Sequence, residues 1–543
     1  MLLSASGTHT VSGGTLAFGN TPGVIFGSTT INSAMTGNDG LIHASGTLTL
    51  AGDMSGLNGA LTANGTGTTN LNTNTFAGPI QVRTGTLSLG VNQTGSNLGA
   101  ITLGVPENSD DLLYGVPTLT YSTGVTQVDR DIIVDNGGAN FDGLLPSDSM
   151  VAHLAPAAYS TDRTFTGDIT LNSDLAIYGG SATGSNTGWN HFQGNISGNS
   201  RLLIRNGRAS FDAQSTWSNS GGMVIGATGN SVQVAFMGTG TGNGNISLFG
   251  STTGVMGLVR YSNDLSFGGG AITVASAGTT GLTFEPMASS NINNQINLNH
   301  TGANVFVDTA AGVVANWSGQ INGNGRLNKN GAGTWIISNN TNTYTGAINV
   351  NSGSLIIDGN LAASSNIVSV SATSTLGGSG TIDRNVAMNG HLAPGNSPGI
   401  LTINGDLSMS STSALDIELN GGVAGTGYDR VVVNGLVNIT DSTLNLVAGY
   451  DPLLSHNYFL LVNDGVDAIT GTFAGLAEGS TVNFDFNGNS YSRILTYTAN
   501  FEGGSFTGGN DIALFNAVPE PGHVVFGLLG LGLLASRRRS RAK

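Results

Sequence analysis

The stretch "QINGNGRLNKNGAGTWIISNNTNTYTGAINVNSGSLIIDG", residues 320–359, contains three short clusters in which apolar and polar residues alternate. The clusters are TWIIS, AINVN and SLIID, and each is followed by Asn, Ser or Gly. Alternation with a period of two is typical of a β-strand, and these following residues favour turns. The body of the chain shows no sustained apolar pattern with the 3.6-residue period of a helix. The sequence therefore predicts an all-β protein.

The same arrangement occurs in "GLNGALTANGTGTTNLNTNTFAGPIQVRTGTLSLG", residues 56–90, and we place this copy within residues 52–90. In both copies an aromatic residue, Phe76 or Tyr344, stands two positions before a Gly. A second Gly comes seven residues after the first, so the pairs are 78 and 85, and 346 and 353. Residues 194–226 contain a degenerate third copy. Internal repetition predicts an architecture in which each repeat packs against its neighbours along the chain.

Short strands with frequent turns suit a sandwich, a barrel or a solenoid. Only 9% of residues are charged, and Gly accounts for 85 of 543. A solenoid stacks equivalent positions about 4.8 Å apart, where like charges repel and Asn side chains form ladders. The composition therefore favours a right-handed parallel β-helix, or β-solenoid.

We divide the chain into three parts by its patterning. Residues 1–403 are predicted to form the solenoid of degenerate repeats. The strands lengthen from residue 404, so residues 404–516 are predicted to be an all-β C-terminal region that could cap the solenoid, as continued coils or as a small sandwich. Residues 517–543 form a short hydrophobic tail with a basic end.

Charge and cysteine content exclude several classes of function. The formal net charge is -15, and five of the 17 Lys and Arg residues lie in the last seven positions. Nucleic-acid binding requires clustered basic residues on the folded body, so nucleic acid is not expected as a partner. The chain contains no Cys, which excludes thiol chemistry and thiolate metal sites and is compatible with export.

Two motifs raise the question of catalysis. "GNSPG", residues 395–399, matches a nucleophile elbow around Ser397, but the next residue, Pro398, has no N–H for an oxyanion hole, so we predict a turn. "VDRDIIVDNGGANFDG", residues 128–143, is the one dense carboxylate cluster. It contains Asp129, Asp131, Asp135 and Asp142 beside Arg130. Glycosidase chemistry needs two carboxylates at a defined separation.

The carboxylate cluster leaves two interpretations open. A carbohydrate-active β-helix enzyme, a polysaccharide lyase or glycoside hydrolase, is the alternative to our prediction of a solvated strand face or weak cation site. The eight His residues show no ligand spacing, so no metal or cofactor is predicted. "GGNDIALF", residues 508–515, is similar to half of a calcium-binding nonapeptide, and without a tandem copy Asp511 is predicted to be a turn residue.

The two repeats resemble a known family. "LNKNGAGTWIISNNTNTYTGAINVNSGSLIIDG", residues 327–359, has the Gly-x-Gly-Thr turn, the Tyr-Thr-Gly and the Ser-Gly-x-Leu of the autotransporter-associated β-strand repeat. The stretches at 376–409 and 471–484 also resemble the region that follows such repeats. The resemblance implies a β-helical protein displayed outside the cell.

The last residues resemble the PEP-CTERM sorting signal. The motif itself is Val518, Pro519, Glu520 and Pro521. A predicted transient membrane segment includes Val524, Phe526, Leu528, Leu529, Leu531, Leu533 and Leu534. A basic stop follows, with Arg537, Arg538, Arg539 and Arg541. The resemblance implies export by a Gram-negative bacterium, processing by an exosortase-type protease, and association with exopolysaccharide and biofilm.

The length of the tail indicates a temporary membrane segment. The apolar run from Val524 to Ala535 is about 18 Å long as a helix, against about 30 Å of hydrocarbon, so it is too short for a comfortable permanent anchor. The arginines would stay cytoplasmic and place the body outside. The N-terminal residues "MLLSASGTHTVSGG" lack a basic and an apolar signal region, so we expect the natural start to lie upstream.

These observations predict a non-enzymatic function. The chain is expected to be an exported surface or matrix β-solenoid, whose regular face presents Thr, Ser and Asn for adhesion or for contact with polysaccharide. Expected partners are the exosortase-type protease, exopolysaccharide or other surface glycans and, transiently, the inner membrane. A self-assembling structural component is a third interpretation.

Overall fold

The computed structural model describes residues 2–19, 21–105, 116–135, 152–154, 161–178, 188–226, 232–250, 257–276, 281–300, 304–464 and 467–516. Within these ranges the chain consists of strands joined by turns and bends, so the all-β prediction is confirmed. In the same ranges no helix is long and apolar enough to cross a membrane. The predicted tail, residues 517–543, and Asp142 lie outside the described residues.

The strands are short and follow one another closely. The first group comprises β1 (Leu2–Val11), β2 (Thr15–Phe18), β3 (Gly23–Ile31), β4 (Ala34–Gly37), β5 (Leu41–Ser45), β6 (Thr47–Leu50), β7 (Gly56–Leu57), β8 (Leu61–Ala63), β9 (Thr68–Leu71), β10 (Ile80–Val82), β11 (Thr86–Leu89), β12 (Ile101–Leu103), β13 (Thr118–Tyr121), β14 (Gln127–Val128), β15 (Ile132–Val134), β16 (Ala152–Leu154), β17 (Arg163–Phe165) and β18 (Ile169–Leu171).

The second group comprises β19 (Leu175–Tyr178), β20 (Asn190–Phe192), β21 (Ile196–Gly198), β22 (Leu202–Phe211), β23 (Thr216–Trp217), β24 (Met223–Ile225), β25 (Val232–Phe236), β26 (Thr239–Gly240), β27 (Ile246–Phe249), β28 (Gly257–Tyr261), β29 (Ile272–Ser276), β30 (Leu282–Pro286), β31 (Ser290–Ile292), β32 (Ile296–Leu298), β33 (Val305–Asp308), β34 (Val314–Trp317), β35 (Ile321–Gly323), β36 (Leu327–Asn330) and β37 (Thr334–Ile337).

The third group comprises β38 (Ile348–Val350), β39 (Gly353–Ile357), β40 (Asn360–Leu361), β41 (Val368–Val370), β42 (Ser374–Gly378), β43 (Thr381–Ile382), β44 (Val386–Met388), β45 (His391–Pro394), β46 (Ile400–Ile403), β47 (Leu407–Met409), β48 (Ala414–Leu419), β49 (Arg430–Val433), β50 (Val437–Asn438), β51 (Thr443–Ala448), β52 (Tyr458–Asn463), β53 (Thr481–Phe486), β54 (Asn489–Ala499) and β55 (Asp511–Phe515).

The chain divides into two compact units, the first comprising residues 1–376 and 380–386 and the second the remainder. In the first unit, strands from successive coils pair in parallel. One ladder runs β5, β8, β10, β12, β15, β18, β21. A second runs β6, β9, β11, β13, β16, β19, β22, β24, β27, β29, β32, β35. This pairing confirms the parallel β-helix.

The core of the first unit follows from the alternation in the sequence. In β11, Leu87 and Leu89 are fully buried, while the two residues between and before them face outward. The parallel register then stacks similar side chains on one another from coil to coil. Phe165, Phe192, Phe211 and Phe236 form one such stack, with successive ring centroids 5.2, 5.8 and 5.3 Å apart. Ring stacking adds to the apolar area that each coil buries against the next.

The Gly residues shared by the two repeats occupy close turns. Gly85 has a φ of 79° and Gly353 a φ of 69°, in the left-handed region that favours Gly. A Cβ atom at Gly85 would lie 2.3 Å from the carbonyl oxygen of Gly65, and one at Gly353 would lie 2.4 Å from that of Gly331. A side chain at either position would therefore strain the turn and collide with the preceding coil.

A buried arginine in a following coil makes hydrogen bonds to each repeat. The guanidinium of Arg384 donates to the carbonyl oxygens of Tyr344, Gly346 and Ala362 and lies 5.8 Å from the centre of the Tyr344 ring. Tyr344 is the aromatic residue of the 320–359 repeat. Burial of the guanidinium lowers the pKa of Arg384.

Arg130 makes the equivalent contacts in the first repeat. Its guanidinium donates to the carbonyl oxygens of Phe76, Gly78 and Gly99 and lies 5.6 Å from the centre of the Phe76 ring. Burial lowers its pKa to about 10. Arg130 adjoins the carboxylates in sequence, but its side chain points into the core while those of Asp129 and Asp131 point outward. We call each group of contacts an arginine clamp.

The second unit changes its strand pairing toward the end of the described chain. β45, β48 and β51 pair in parallel, as do β46, β49 and β52, so coils continue to Asn463. The last strands have the order β52, β55, β54, β53 in their sheet, and each neighbouring pair among them is antiparallel. The second unit is therefore a set of parallel coils followed by antiparallel strands.

The arginine clamp can be tested by Arg384→Lys. A lysine ammonium cannot match the fork of N–H groups that reaches three carbonyl oxygens, so at least one stays buried without a donor. We expect a loss of about 1–3 kcal/mol in the free energy of unfolding, measured by urea denaturation. Arg260→Lys is the matched control, because Arg260 forms a half-exposed ion pair with Glu285. Equal losses in the two variants would contradict the clamp.

Candidate functional site

The ladder through β1, β3, β6, β9, β11 and β13 aligns small polar side chains in two columns. The first column is Thr8, Ser28, Thr47, Thr68, Thr86 and Thr118. The second column is Thr10, Thr30, Thr49, Asn70, Ser88 and Thr120. We call these twelve residues the threonine array, because nine of them are Thr.

All members of the threonine array are exposed or half-buried, whereas the residues between the columns on the later strands, such as Leu48 and Leu87, are buried. Strand geometry places the columns about 6.6 Å apart and successive coils about 4.8 Å apart. Six strands therefore form a face about 24 Å long. None of its side chains is charged. The array is a regular lattice of neutral hydrogen-bonding groups.

Contacts between coils hold parts of the array in place. Asn70 Nδ2 donates to Thr49 Oγ1 at 3.3 Å, across one step of the second column. The backbone N–H of Thr47 donates to Ser28 Oγ at 3.3 Å in the first column. The first contact uses one atom of each side chain and the second uses only the Ser28 hydroxyl, which, like any hydroxyl, can both donate and accept. The face therefore keeps hydrogen-bonding capacity toward solvent.

Asn side chains form the expected ladders farther along the first unit. Asn316 Nδ2 donates to Asn291 Oδ1 at 2.9 Å, and Asn322 Nδ2 donates to Asn297 Oδ1 at 3.0 Å. The same contact joins Asn349 to Asn328 and Asn351 to Asn330, each at 2.9 Å. The prediction that Asn replaces charge at stacked positions is confirmed.

The predicted carboxylate cluster links coils together. Asp129 accepts hydrogen bonds from Thr166, Gln127 and the Gly95 N–H, at 2.6, 2.7 and 3.0 Å. Partial burial would raise the pKa of Asp129, but these donors outweigh it and lower the pKa. The carboxylate is thus held ionised by neighbouring coils.

The other described carboxylates have the same role. Asp131 Oδ1 accepts the N–H of Asp168 at 2.8 Å, and Asp135 Oδ1 accepts from Asn172 Nδ2 at 2.8 Å. Both contacts reach the next coil, 37 residues along the chain. Asp142 lies outside the described residues. The contacts of the described members support an outward-facing structural role.

The remaining predicted motifs lie in the second unit. Ser397 lies in the connection between β45 and β46, with a φ of 76°, and its Oγ donates to Glu418, in agreement with the predicted turn. The prediction for Asp511 is wrong, because it is buried in β55. Its carboxylate accepts the N–H groups of Asn463 and Phe501 at 2.8 and 2.7 Å, and burial raises its pKa.

No group of three or more His, Asp or Glu side chains that could hold a metal ion occurs in the described ranges. The sorting motif, the transient membrane segment and the basic stop all fall outside those ranges.

The sequence predicted a Thr, Ser and Asn face but did not identify its members. A signal was present in the quartets TLTL (47–50), TTNL (68–71), TLSL (86–89) and TLTY (118–121). Each has a small polar residue at its first and third positions and a large apolar residue at its last. The spacing between quartets varies, so the alignment becomes evident only when the coil register is known.

Comparison with known protein families identifies the same two repeats. The passenger-associated-transport-repeat family matches residues 61–89 and 327–357, within the two copies found above. A stretch of 192 residues is 33% identical to the extracellular serine protease of Serratia marcescens and covers 34% of this chain and 18% of that protein.

A second relative is the adhesin BmaC autotransporter of Brucella suis biovar 1 (strain 1330), which is 38% identical over 104 residues. This alignment covers 19% of the chain and 3% of the adhesin. The matched parts thus span less than a fifth of the length of either relative. The chain is a β-solenoid protein, and two of its segments are similar to the passenger-associated-transport-repeat family.

Proposed function

We propose that the protein is an exported surface or matrix β-solenoid that adheres to hydroxyl-rich polysaccharide through the threonine array. The observation that carries this proposal is the parallel register, which aligns twelve small polar side chains in two columns on one face.

The chemistry of the array suits a neutral polymer. Hydroxyl and amide groups can donate and accept hydrogen bonds, as the hydroxyls of a glycan do. Each coil adds one more pair of groups at a fixed spacing, so a polymer lying along the face would make many weak contacts at once. Contacts linked in this way increase the overall affinity without any single strong one.

The names of the relatives support export and adhesion. One relative is described as extracellular and the other as an adhesin. Both similarities cover only part of this chain, and the two repeats are what the family match identifies. We extend from these proteins to this one only the general role of a solenoid outside the cell.

We also propose that residues 518–543 are a sorting signal. The tail would hold the protein transiently in the inner membrane, with its arginines in the cytoplasm, until an exosortase-type protease cleaves near Pro519 and Pro521. The released protein would then reach the cell surface or the extracellular matrix, where exopolysaccharide and biofilm are the expected surroundings.

The adhesive face can be tested with Thr68→Lys combined with Thr86→Lys. Two adjacent ammonium groups in one column would repel each other and would bring hydration that a close neutral polymer must displace. We expect the fraction bound to insoluble cellulose, chitin and mannan to fall, with an affinity loss of about tenfold or more.

The matched control for this experiment is Gln81→Lys combined with Thr102→Lys. These residues are ladder partners on β10 and β12, both half-buried and outside the array, so the control adds the same charge at the same spacing. We expect the control to bind like the unmodified protein. Equal binding by both double variants, or no binding of the unmodified protein to any of the three polymers, would overturn the proposed adhesive face.

Processing of the tail can be tested by mass spectrometry of the protein from its native culture. We expect the extracellular fraction to lack a C-terminal piece of residues 518–543, and Pro519→Ala combined with Pro521→Ala to retain the full tail. Asn516→Ala, just before the motif, serves as the control and should be processed normally. An intact tail on the unmodified extracellular protein would contradict the proposed sorting signal.

A further inference from the structure

One tryptophan of the first unit lies on the outer surface, unlike the other three. Trp217, Trp317 and Trp335 are 3%, 1% and 0% exposed, whereas Trp189, immediately before β20, is half-buried. A half-buried indole presents part of an apolar ring at the surface, where the apolar side of a ligand can pack against it. The surroundings of Trp189 therefore indicate what it could bind.

A guanidinium group and an imidazole ring flank this tryptophan. The Arg208 guanidinium carbon lies 5.9 Å from the centre of the Trp189 ring, and the His191 ring lies 6.5 Å from it at an angle of 39°. Arg208 Nε donates to Gln233 Oε1 at 2.9 Å, which fixes the guanidinium beside the ring. The backbone N–H of Trp189 donates to Asp162 Oδ1 at 2.8 Å.

A network around Asp212 fixes the rest of this surface. The carboxylate contacts His191 Nδ1 at 3.0 Å and accepts from Ser210 Oγ at 2.7 Å and Gln193 Nε2 at 3.1 Å. Burial would raise the pKa of Asp212, but the contacts with His191, Ser210 and Gln193 lower it. The carboxylate is therefore ionised and holds His191 in one orientation.

Three strands contribute to this arrangement. Trp189 immediately precedes β20, His191 lies in the middle of β20, Arg208 and Ser210 come from β22, and Gln233 comes from β25. The parallel register places His191 directly beside Ser210. The aromatic ring and its polar neighbours are thus held by the rigid ladder, as a preorganised binding site requires.

We infer that Trp189, His191, Arg208 and Asp162 form a subsite for one neutral pyranose ring of a polysaccharide. The C–H groups on one side of a pyranose are apolar and can pack on the indole face, while its hydroxyls reach polar groups at the rim. The carboxylates of Asp162 and Asp212 lie 4.0 and 3.0 Å from the His191 ring nitrogens. With these two carboxylates and the Arg208 guanidinium, the surface favours neutral sugars over uronates. This inference rests on the proposed binding of polysaccharide and specifies a second place for it.

The test uses the intrinsic fluorescence of the full chain during titration with cellohexaose, laminarihexaose and mannohexaose. Because Trp189 alone among the four tryptophans is half-buried, contact with a sugar should change its emission in a saturable way. Trp189→Phe should remove the fluorescence change but keep weakened binding by calorimetry, since a phenyl ring still offers an apolar face. Trp189→Ala should lower the affinity about tenfold or more.

Controls separate the subsite from general surface effects. Met287→Ala removes another exposed apolar side chain of the same unit and should bind like the unmodified protein. Trigalacturonate should bind more weakly than the neutral hexaoses. The inference is overturned if no neutral hexaose changes the emission, if Trp189→Ala binds unchanged, or if trigalacturonate binds most tightly.

The two sets of variants test the Trp189 subsite and the threonine array separately. Binding to insoluble polysaccharide that depends on Thr68 and Thr86 but not on Trp189 would disprove the subsite and leave the adhesive face intact. Hexaose binding that depends on Trp189, with pull-down insensitive to both threonines, would disprove the face and leave the subsite.

Discussion

Hydrogen bonding between the backbones of successive coils is the constraint on which the rest of the structure depends. It brings residues that lie one coil apart in sequence directly beside each other, for example Leu61 beside Ile80 and Ile80 beside Ile101. Whatever one coil places inward or outward is then repeated by the next. A core of stacked apolar residues, ladders of Asn and a lattice of Thr all follow from this register, and closely stacked like charges are disfavoured by it.

The register tolerates large differences in coil length, because the extra residues leave the ladder at the turns. Ile80 and Ile101 are paired across 21 residues, while Ile132 and Ile169 are paired across 37. The arginine clamps add a link of longer range. Arg384 reaches the carbonyl oxygen of Tyr344, 40 residues earlier, and Arg130 reaches that of Phe76, 54 residues earlier. A repeat is therefore tied both to its neighbour and to the following coils.

The sequence predicted the fold well where local patterns were sufficient. Alternation in TWIIS and SLIID gave the strands, and the sparse charge gave the solenoid. Residues whose role depends on register were harder to predict. Arg130 lies between Asp129 and Asp131, and alternation along the chain turns its side chain inward, but no local pattern indicates that it reaches Phe76. The similar "VDRD" at 128–131 and "IDRN" at 382–385 become informative only when both arginines are seen beside the aromatic residues of the repeats.

The candidate binding surfaces were likewise predictable from the sequence only in part. A Thr, Ser and Asn face could be expected from composition, but its membership depends on which residues pair across coils. The most direct test of this register uses the absence of native Cys. Thr68→Cys with Thr86→Cys should form a disulfide under mild oxidation, because these residues are ladder partners. Thr68→Cys with Thr118→Cys, two coils apart at about 9.6 Å, should remain reduced. Equal cross-linking of the two pairs, or cross-linking of the second alone, would contradict the register and the array built on it.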